Sequence, residues 1–145
     1  IEYMDVGNLN EWRLNETVGS DEIVKKLSSK WKLEQLDKNY KGETAERFNI
    51  VDTETEIGLI SSVTKPFCGS CTRARLSSDG KLYNCLFASK GKDIRNWIRS
   101  GESDDFIRNE IASIWKERKD RYSELRYSKK SDKTNEKVEM YYIGG

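Results

Sequence analysis

Three cysteines, the only ones in the chain, lie close together in the segment from Thr64 to Phe87, TKPFCGSCTRARLSSDGKLYNCLF. Cys68 and Cys71 form a C-x-x-C pair, and Cys85 follows after thirteen intervening residues. A C-x-x-C loop can bring two thiolates onto one metal ion, and a hairpin can return a third thiolate to the same place. Zinc usually takes four ligands, and its catalytic sites usually include histidine, which this chain lacks. Three thiolates with an open fourth position suit an iron–sulfur cluster that can bind a further ligand.

Other interpretations of the cysteines stay open at this point. A lone C-x-x-C pair is also typical of a redox dithiol, and only the third cysteine at the end of a hairpin favours a metal or cluster site. A disulfide with one odd thiol is disfavoured for a natural intracellular form, but it fits an air-exposed sample that has lost its metal.

A hairpin turn between the second and third cysteines should decide how they are presented. Ser78-Asp79-Gly80 has the composition of a three-residue hairpin loop, with Gly80 in the left-handed conformation that makes a bulge. Because side chains alternate between the two faces of a strand, this loop predicts which residues share a face. The resulting register pairs Arg75 with Tyr83 and Arg73 with Cys85.

Arg73 and Arg75 would then stand beside the third thiolate. The planar guanidinium donates two parallel hydrogen bonds, which makes arginine well suited to bind phosphate. Two arginines alone would more often form a solvated strand face. Their position between the cysteines is what indicates an anionic ligand.

The composition indicates about one domain with a small core. Apolar and charged residues each make up 35% of the 145 residues, which predicts a domain that either buries little or relies on a partner surface. The chain begins without a methionine inside an apparent strand, and we therefore expect a piece of a larger protein. No signal peptide or membrane span is predicted, and an odd number of cysteines with cluster-like spacing fits a reducing cytoplasm.

Charge is distributed unevenly along the chain. Residues 1–60 carry 8 basic and 13 acidic residues, and residues 61–145 carry 18 basic and 12 acidic residues. The second part, which holds the arginines, therefore has a net charge of +6 and suits an anionic ligand. Nucleic acid stays open as an alternative ligand.

The remaining elements are predicted from apolar periodicity and from turn and capping residues. We expect a strand at Ile1–Val6 and a helix over Asp21–Trp31 capped by Ser20. Short strands at Leu33–Leu36, Glu46–Val51 and Ile57–Ile60 should join the cysteine hairpin in one small antiparallel sheet, with Arg47 solvated. A short helix over Asp93–Arg99 should end at Gly101, and a longer one should run from a Ser103 cap to about Arg118. The buried face of the longer helix should consist of Ile107, Ile111, Ile114 and Trp115.

The end of the chain divides into three parts. Ser128 to Lys137 is polar and is predicted to be mobile. Val138 to Ile143 is apolar enough to dock. Gly144 and Gly145 are most simply a frayed end, although only glycines are thin enough to enter a narrow pocket beside a ligand.

The segment Gly58 to Ala88 resembles the second-cluster motif of the radical SAM GTP 3′,8-cyclases of molybdenum cofactor biosynthesis. The similarity extends to IEYMDVG at the start, to WKERKDRYSELR and to the terminal Gly144-Gly145. It covers nearly the whole chain as the C-terminal part of that family. The family's N-terminal C-x3-C-x2-C motif, which holds the SAM-cleaving cluster, has no counterpart in this sequence.

The resemblance implies an α+β fold. A small antiparallel sheet with flanking helices would form the C-terminal extension of an incomplete β/α (TIM-like) barrel, to which the N-terminal strand would belong. Residues 1–18 would end the barrel portion, and residues 19–145 would form a domain that binds a cluster and GTP, with a mobile tail at 128–145.

The resemblance also implies the roles of individual residues. Cys68, Cys71 and Cys85 would hold the second [4Fe–4S] cluster, while SAM and a first [4Fe–4S] cluster would belong to the intact enzyme. Arg73, Ala74 and Arg75 would bind GTP. Met4 would line the SAM pocket, although an ordinary core methionine is the simpler interpretation, and Gly144 and Gly145 would form a catalytic tail.

The expected partners are GTP and the N-terminal radical SAM barrel, with homodimerisation of the intact enzyme left open. Neither a membrane nor nucleic acid is an expected partner, and this portion alone should be inactive. A non-catalytic zinc- or iron–sulfur-bearing module that binds nucleic acid is the main alternative, but the regularly spaced aromatic pairs of a base-stacking platform are missing. A target-recognition domain of another radical SAM enzyme would share the cysteines, but it would not explain the arginines and the terminal glycines together.

Overall fold

The computed structural model describes residues 1–127 and 136–143. The chain divides into two compact units: Ile1–Asp5 with Glu11–Thr72, and Val6–Asn10 with Arg73–Gly145. Each unit combines helices with short antiparallel strands, which confirms the predicted α+β class. Among the described residues, no helix has the length and hydropathy needed to span a membrane. The predicted boundary between residues 18 and 19 stays a prediction.

A three-stranded antiparallel sheet forms the centre of the first unit. Its strands are β1 (Leu33–Leu36), β2 (Glu46–Ile50) and β3 (Glu56–Leu59), in that order across the sheet. The register places Phe48 opposite both Gln35 and Ile57. These bounds lie within one residue of those predicted from the β-branched and aromatic runs.

Arg47 on β2 is paired, and the prediction that it is solvated was wrong. Its Nε and Nη2 donate to the two carboxylate oxygens of Glu56 at 2.5 and 2.6 Å, and its Nη1 donates to Asn39 Oδ1 at 2.7 Å. The Arg47 side chain is only 18% exposed. The sheet brings Glu56 next to it across β2 and β3, which the sequence spacing does not show.

Helix α1 spans Ser20–Ser28, so it begins one residue earlier and ends three residues earlier than predicted. Ser20 is the first helical residue and Gly19 occupies the cap position, which corrects the predicted Ser20 cap. Lys30 and Trp31 close the helix end by donating their N–H groups to Leu27 O at 2.9 and 3.0 Å. Trp31 is 44% exposed and does not continue the apolar face.

Ile1–Val6 does not form the predicted strand. A strand needs a continuous ladder of backbone hydrogen bonds with a neighbour. Here the Glu2 N–H donates to Ile60 O at 3.1 Å, while the Tyr3 carbonyl accepts from the side chains of Trp12 and Thr17 at 2.8 and 3.0 Å. The prediction that the segment belongs to a β/α barrel stays a prediction.

The second unit contains a separate sheet, so the prediction of one sheet was wrong. Its strands are β4 (Arg75–Leu76), β5 (Lys81–Tyr83) and β6 (Lys92–Asp93), all antiparallel. The strand β6 was not predicted. It pairs with β5, so the cysteine hairpin gains its third strand from the chain that follows it and not from β1–β3.

The hairpin loop has the predicted form. Gly80 has a φ of +82°, its N–H donates to Ser77 O at 2.9 Å, and the Ser77 N–H donates to Lys81 O at 3.0 Å. Asp79 binds Lys81 Nζ at 2.9 Å. Hydrogen bonds from Ser77, Tyr142 and Lys81 hold the pKa of Asp79 well below its usual value.

Three helices follow the hairpin: α2 (Ile94–Arg99), α3 (Asp104–Lys116) and α4 (Tyr122–Leu125). Asp93 caps α2 through the Asn96 N–H at 2.9 Å, and Ser103 caps α3 through the Phe106 N–H at 3.2 Å, as predicted for Ser103. The predicted buried face of α3 was wrong in part, because Ile111 and Trp115 are each 37% exposed and α3 has no fully buried residue.

The C-terminal segment docks as predicted for Val138–Ile143. The Val138 N–H donates to Ala88 O at 3.0 Å, and Ile143, at the end of a 3-10 helix over Met140–Ile143, is 1% exposed. Asn8 holds the segment from the other side, because its side chain donates to Lys137 O at 2.6 Å and accepts the Lys137 N–H at 3.0 Å. Of the stretch from Ser128 to Lys137 that was predicted to be mobile, residues 128–135 lie outside the described residues, as do Gly144 and Gly145, whereas Lys137 is bound by Asn8.

Candidate cluster and nucleotide site

Cys68 and Cys71 stand in one closed turn of the first unit. A 3-10 helix spans Cys68–Ser70, and Cys71 follows it with its N–H donating to Cys68 O at 3.3 Å. Both cysteines are half-buried. A closed C-x-x-C turn is the usual arrangement by which two cysteines ligate the same metal.

Cys85 belongs to the second unit and lies two residues beyond β5. Its Sγ accepts the Phe87 N–H at 3.5 Å, and its carbonyl accepts the Ala88 N–H at 3.2 Å. A backbone N–H directed at sulfur stabilises the thiolate, which is the form that ligates metals. The same turn ends the hairpin, so the predicted pair of Arg73 with Cys85 is not part of the ladder.

The two candidate arginines differ in how firmly the fold holds them. Arg75 is half-buried in β4 and lies opposite Tyr83, which confirms that part of the predicted register. Arg73 and Ala74 precede β4 in an irregular, exposed stretch. Because directly opposite residues of an antiparallel pair share a face, Arg75 and Tyr83 lie on one face of the hairpin.

The residues just before Cys85 are fixed from two sides. Tyr83 is 3% exposed. Its ring lies so close to Gly91 that a Cβ atom added to Gly91 would stand 2.7 Å from Tyr83 Cζ. Asn84 Nδ2 donates to the carbonyl of Ile114 at 3.2 Å, in the last turn of α3. Carbonyls in the last turn lack partners within the helix, so the Asn84 amide supplies one and ties Cys85 to α3.

Two cations flank an aromatic pair that begins two residues after Cys85. Phe87 and Tyr122 stack with ring centroids 4.4 Å apart. Lys137 Nζ lies 4.6 Å from the Tyr122 centroid, and Arg126 Cζ lies 5.6 Å from the Phe87 centroid. Arg126 is 8% exposed. Sequence reasoning gave neither cation a role, because their proximity to Phe87 depends on the docking of α4 and of the C-terminal segment.

Sequence reasoning also missed a buried carboxylate in the first unit. Glu2 is 3% exposed, and its oxygens accept hydrogen bonds from the backbone and side chains of two segments, at Ser20 and at Val63–Thr64. Burial raises the pKa of Glu2, but hydrogen bonds from the Thr64 side chain and from the N–H groups of Thr64, Ser20 and Val63 outweigh burial and lower the pKa to about 2. Glu2 is therefore charged at neutral pH.

Three cysteines without histidine are the donor set from which the sequence predicted an iron–sulfur cluster. The chain has three cysteines and no histidine, and within residues 1–127 and 136–143 no three cysteine, aspartate or glutamate side chains are grouped as a ready metal site. That Cys68, Cys71 and Cys85 ligate one cluster stays a prediction. Met4 is half-buried in the first unit, which fits either of its predicted roles.

Comparison with known proteins identifies a consistent group of relatives. The family model described as Molybdenum Cofactor Synthesis C matches residues 1–124. Three proteins named GTP 3′,8-cyclase match the whole chain: those of Xanthomonas campestris pv. campestris strain B100 (44% identical), Acidothermus cellulolyticus (43%) and Staphylococcus haemolyticus (42%). The chain covers 42%, 46% and 43% of these relatives, respectively, which is less than half of their length. These matches confirm the resemblance inferred from the cysteine segment.

Proposed function

Because the chain belongs to the Molybdenum Cofactor Synthesis C family, we propose that it is the C-terminal, substrate-binding portion of a GTP 3′,8-cyclase. The intact enzyme converts GTP to (8S)-3′,8-cyclo-7,8-dihydroguanosine 5′-triphosphate by SAM radical chemistry. The observation that carries the proposal is the similarity, over the full chain, to proteins of that name from three bacterial genera.

In this proposal Cys68, Cys71 and Cys85 hold the second [4Fe–4S] cluster. The closed C-x-x-C turn and the N–H directed at Cys85 Sγ support it, because both are typical of cysteines that ligate as thiolates. Cys68, Cys71 and Cys85 would leave one iron of such a cluster without a protein ligand, and the cluster would thereby supply an open coordination position for the GTP base.

Arg73 and Arg75 bind the triphosphate of GTP, and Ala74 contributes only backbone contacts. The net charge of +6 over residues 61–145 favours this role, because a positive field attracts a polyanion and raises its association rate. Arg75 belongs to β4, so its backbone is already ordered before phosphate binds. Arg73, in an exposed stretch, can adapt to the ligand.

The N-terminal portion of the intact enzyme supplies the means of cleaving SAM. The SAM-cleaving cluster and the barrel that encloses the radical belong to the N-terminal portion, with Met4 contributing to the SAM pocket and Gly144 and Gly145 forming a tail beside the substrate. This portion alone is therefore inactive, and the intact protein acts in the cytoplasm.

The experiment that tests the nucleotide role compares GTP with guanosine in the reconstituted full-length protein. Arg73→Ala or Arg75→Ala should weaken GTP binding by about 1.5–3 kcal/mol each, the usual value of a hydrogen bond to a charged group. Guanosine, which has no triphosphate, should lose much less affinity, and cluster content should not change.

Arg108→Ala is the matched control, since Arg108 is an exposed arginine of the same unit that pairs with Asp105 on α3. It should bind GTP as the wild type does. Equal losses for GTP and guanosine in the Arg75→Ala protein would mean that Arg75 acts on the fold or the cluster and would refute its role in phosphate binding.

A further inference from the structure

The Glu2 carboxylate accepts five hydrogen bonds from two separate parts of the first unit. Oε1 accepts from the Ser20 N–H at 2.8 Å, from Ser20 Oγ at 3.0 Å and from Thr64 Oγ1 at 2.6 Å. Oε2 accepts from the N–H groups of Val63 and Thr64, both at 2.8 Å. A carboxylate has about four lone-pair sites, so its capacity to accept is fully used.

Ser20 and Thr64 begin the two segments that Glu2 joins. Ser20 is the first residue of α1. The Ser20 N–H has no acceptor within the helix, and the positive end of the helix dipole favours a negative charge there. Thr64 begins the TKPFCGSC stretch, four residues before Cys68. The Glu2 side chain therefore fixes the start of the cysteine loop, the segment from Thr64 to Thr72, to the start of α1.

Other contacts hold the base of the loop in the same place. The Lys65 N–H donates to Ser61 O at 3.1 Å, and Lys65 Nζ pairs with Asp21 Oδ1 at 2.7 Å. Pro66 then restricts the backbone immediately before the C-x-x-C turn. The Lys65 ion pair is exposed, so Glu2 is the buried part of this arrangement.

The far end of the loop is also confined. Gly42, which has a φ of +88°, lies close to this end of the loop. A Cβ atom added to Gly42 would stand 2.9 Å from Thr72 Oγ1 and 3.1 Å from Ser70 O. The C-x-x-C turn thus runs between a start bound to Glu2 and an end in contact with Gly42. The start is held by hydrogen bonds to a buried charge.

We propose that Glu2 is a positioning residue for the C-x-x-C pair: by fixing Val63 and Thr64 against α1, it holds Cys68 and Cys71 in the arrangement in which both thiolates bind one acceptor atom. The inference rests on the proposed function for its biological meaning, because a cluster is the acceptor that these thiolates would share. Its geometry can be tested without a cluster. A preorganised pair of ligands binds more tightly because less freedom is lost on binding.

Phenylarsine oxide reports on this arrangement directly. Its arsenic forms two As–S bonds with two neighbouring thiols, and its oxygen leaves as water. The cluster-free, full-length protein is treated with this probe under anaerobic conditions. Mass spectrometry of the peptide that carries both Cys68 and Cys71 then gives the concentration of ethanedithiol needed to remove half of the arsenic.

Glu2→Gln replaces one acceptor oxygen by an NH2 group that faces donors. The ethanedithiol concentration that removes half of the arsenic should fall roughly tenfold or more, the expected effect of losing a hydrogen bond to a charged group. Glu2→Asp keeps the charge on a shorter side chain and should recover part of the loss. Thr64→Val removes only the hydroxyl donor and should give a smaller change in the same direction.

Glu56→Gln is the matched control, because it changes a carboxylate of the same unit that pairs with Arg47 on the neighbouring strand. The ethanedithiol concentration that removes half of the arsenic should be the same for Glu56→Gln as for the wild type. All proteins are compared at a temperature at which their circular dichroism spectra coincide, so that unfolding does not contribute.

Wild-type affinity for arsenic in folded Glu2→Gln would overturn the inference and leave Glu2 with a role in stability only. Iron and sulfide in the reconstituted wild type separate this result from the proposed function. A wild type without iron would contradict the cluster, while the arsenic measurement would still decide the role of Glu2.

Discussion

Replacing Glu2 by glutamine should change how the stability of the first unit depends on pH. The Glu2 carboxylate is 3% exposed, and hydrogen bonds lower its pKa from 4.5 to about 2. A difference of roughly 2.5 between the pKa values of the unfolded and folded states corresponds to about 3 kcal/mol of stability at neutral pH. Because the folded-state pKa is the lower one, this contribution is complete above about pH 5 and is lost as the pH falls toward 2.

Hydrogen exchange of the Val63 and Thr64 amides measures this contribution where it acts, because both N–H groups donate to Glu2. After correction for the intrinsic exchange rate, the free energy of opening in the wild type should fall by about 2 kcal/mol between pH 5 and pH 3. Glu2→Gln should lower the opening free energy at pH 7 by about 2–3 kcal/mol and should lack this fall. The reason is that a glutamine side chain does not titrate.

Glu56→Gln again serves as the control, since the Glu56 side chain is 44% exposed and pairs with Arg47 across β2 and β3. It should keep the wild-type pH dependence at Val63 and Thr64. Parallel pH curves for the wild type and Glu2→Gln would refute the reasoning, because the fall would then come from other carboxylates.

Two further predictions concern the second unit. Gly80→Ala should destabilise it by about 2 kcal/mol or more, because Gly80 has a φ of +82° and its Cβ would stand 2.5 Å from Arg95 Cβ. Gly101→Ala, at a φ of +79° with no atom within 4 Å of its Cβ, should cost less, and equal losses in urea unfolding would show that contact with Arg95 is unimportant. Ser103→Ala removes the cap on α3 and should lower the free energy of unfolding by about 1 kcal/mol. An unchanged free energy of unfolding would contradict the hydrogen bond that the Phe106 N–H donates to Ser103 Oγ.

The hairpin shows how much local sequence can predict. Ser78-Asp79-Gly80 gave the loop, the left-handed Gly80 and the pairing of Arg75 with Tyr83, since all three depend on a few adjacent residues. The ladder stops at this pair because Cys85 uses its carbonyl in a turn with Ala88. Where a short strand ends depends on such competing hydrogen bonds, which the alternation of side chains does not reveal.

Long-range contacts explain what the sequence could not show. Glu2 resembles any charged residue near the start of a chain, and its burial depends on partners 18 and 62 positions away. Strand β6 has only two polar residues, Lys92 and Asp93, and becomes a strand by pairing with β5. The periodicity of α3 correctly predicted a helix, but it overestimated the burial of Trp115 because periodicity does not show how much of a neighbouring surface is present.

The most direct test of the central claim is the iron and acid-labile sulfide content of the anaerobically reconstituted full-length protein. Cys71→Ser should contain about four fewer iron atoms per chain than the wild type, the content of one [4Fe–4S] cluster. Ser70→Ala, which changes the exposed neighbour within the same turn, should retain the wild-type iron content. Equal iron in Cys71→Ser and the wild type, or zinc without sulfide in the wild type, would contradict a second cluster held by Cys68, Cys71 and Cys85.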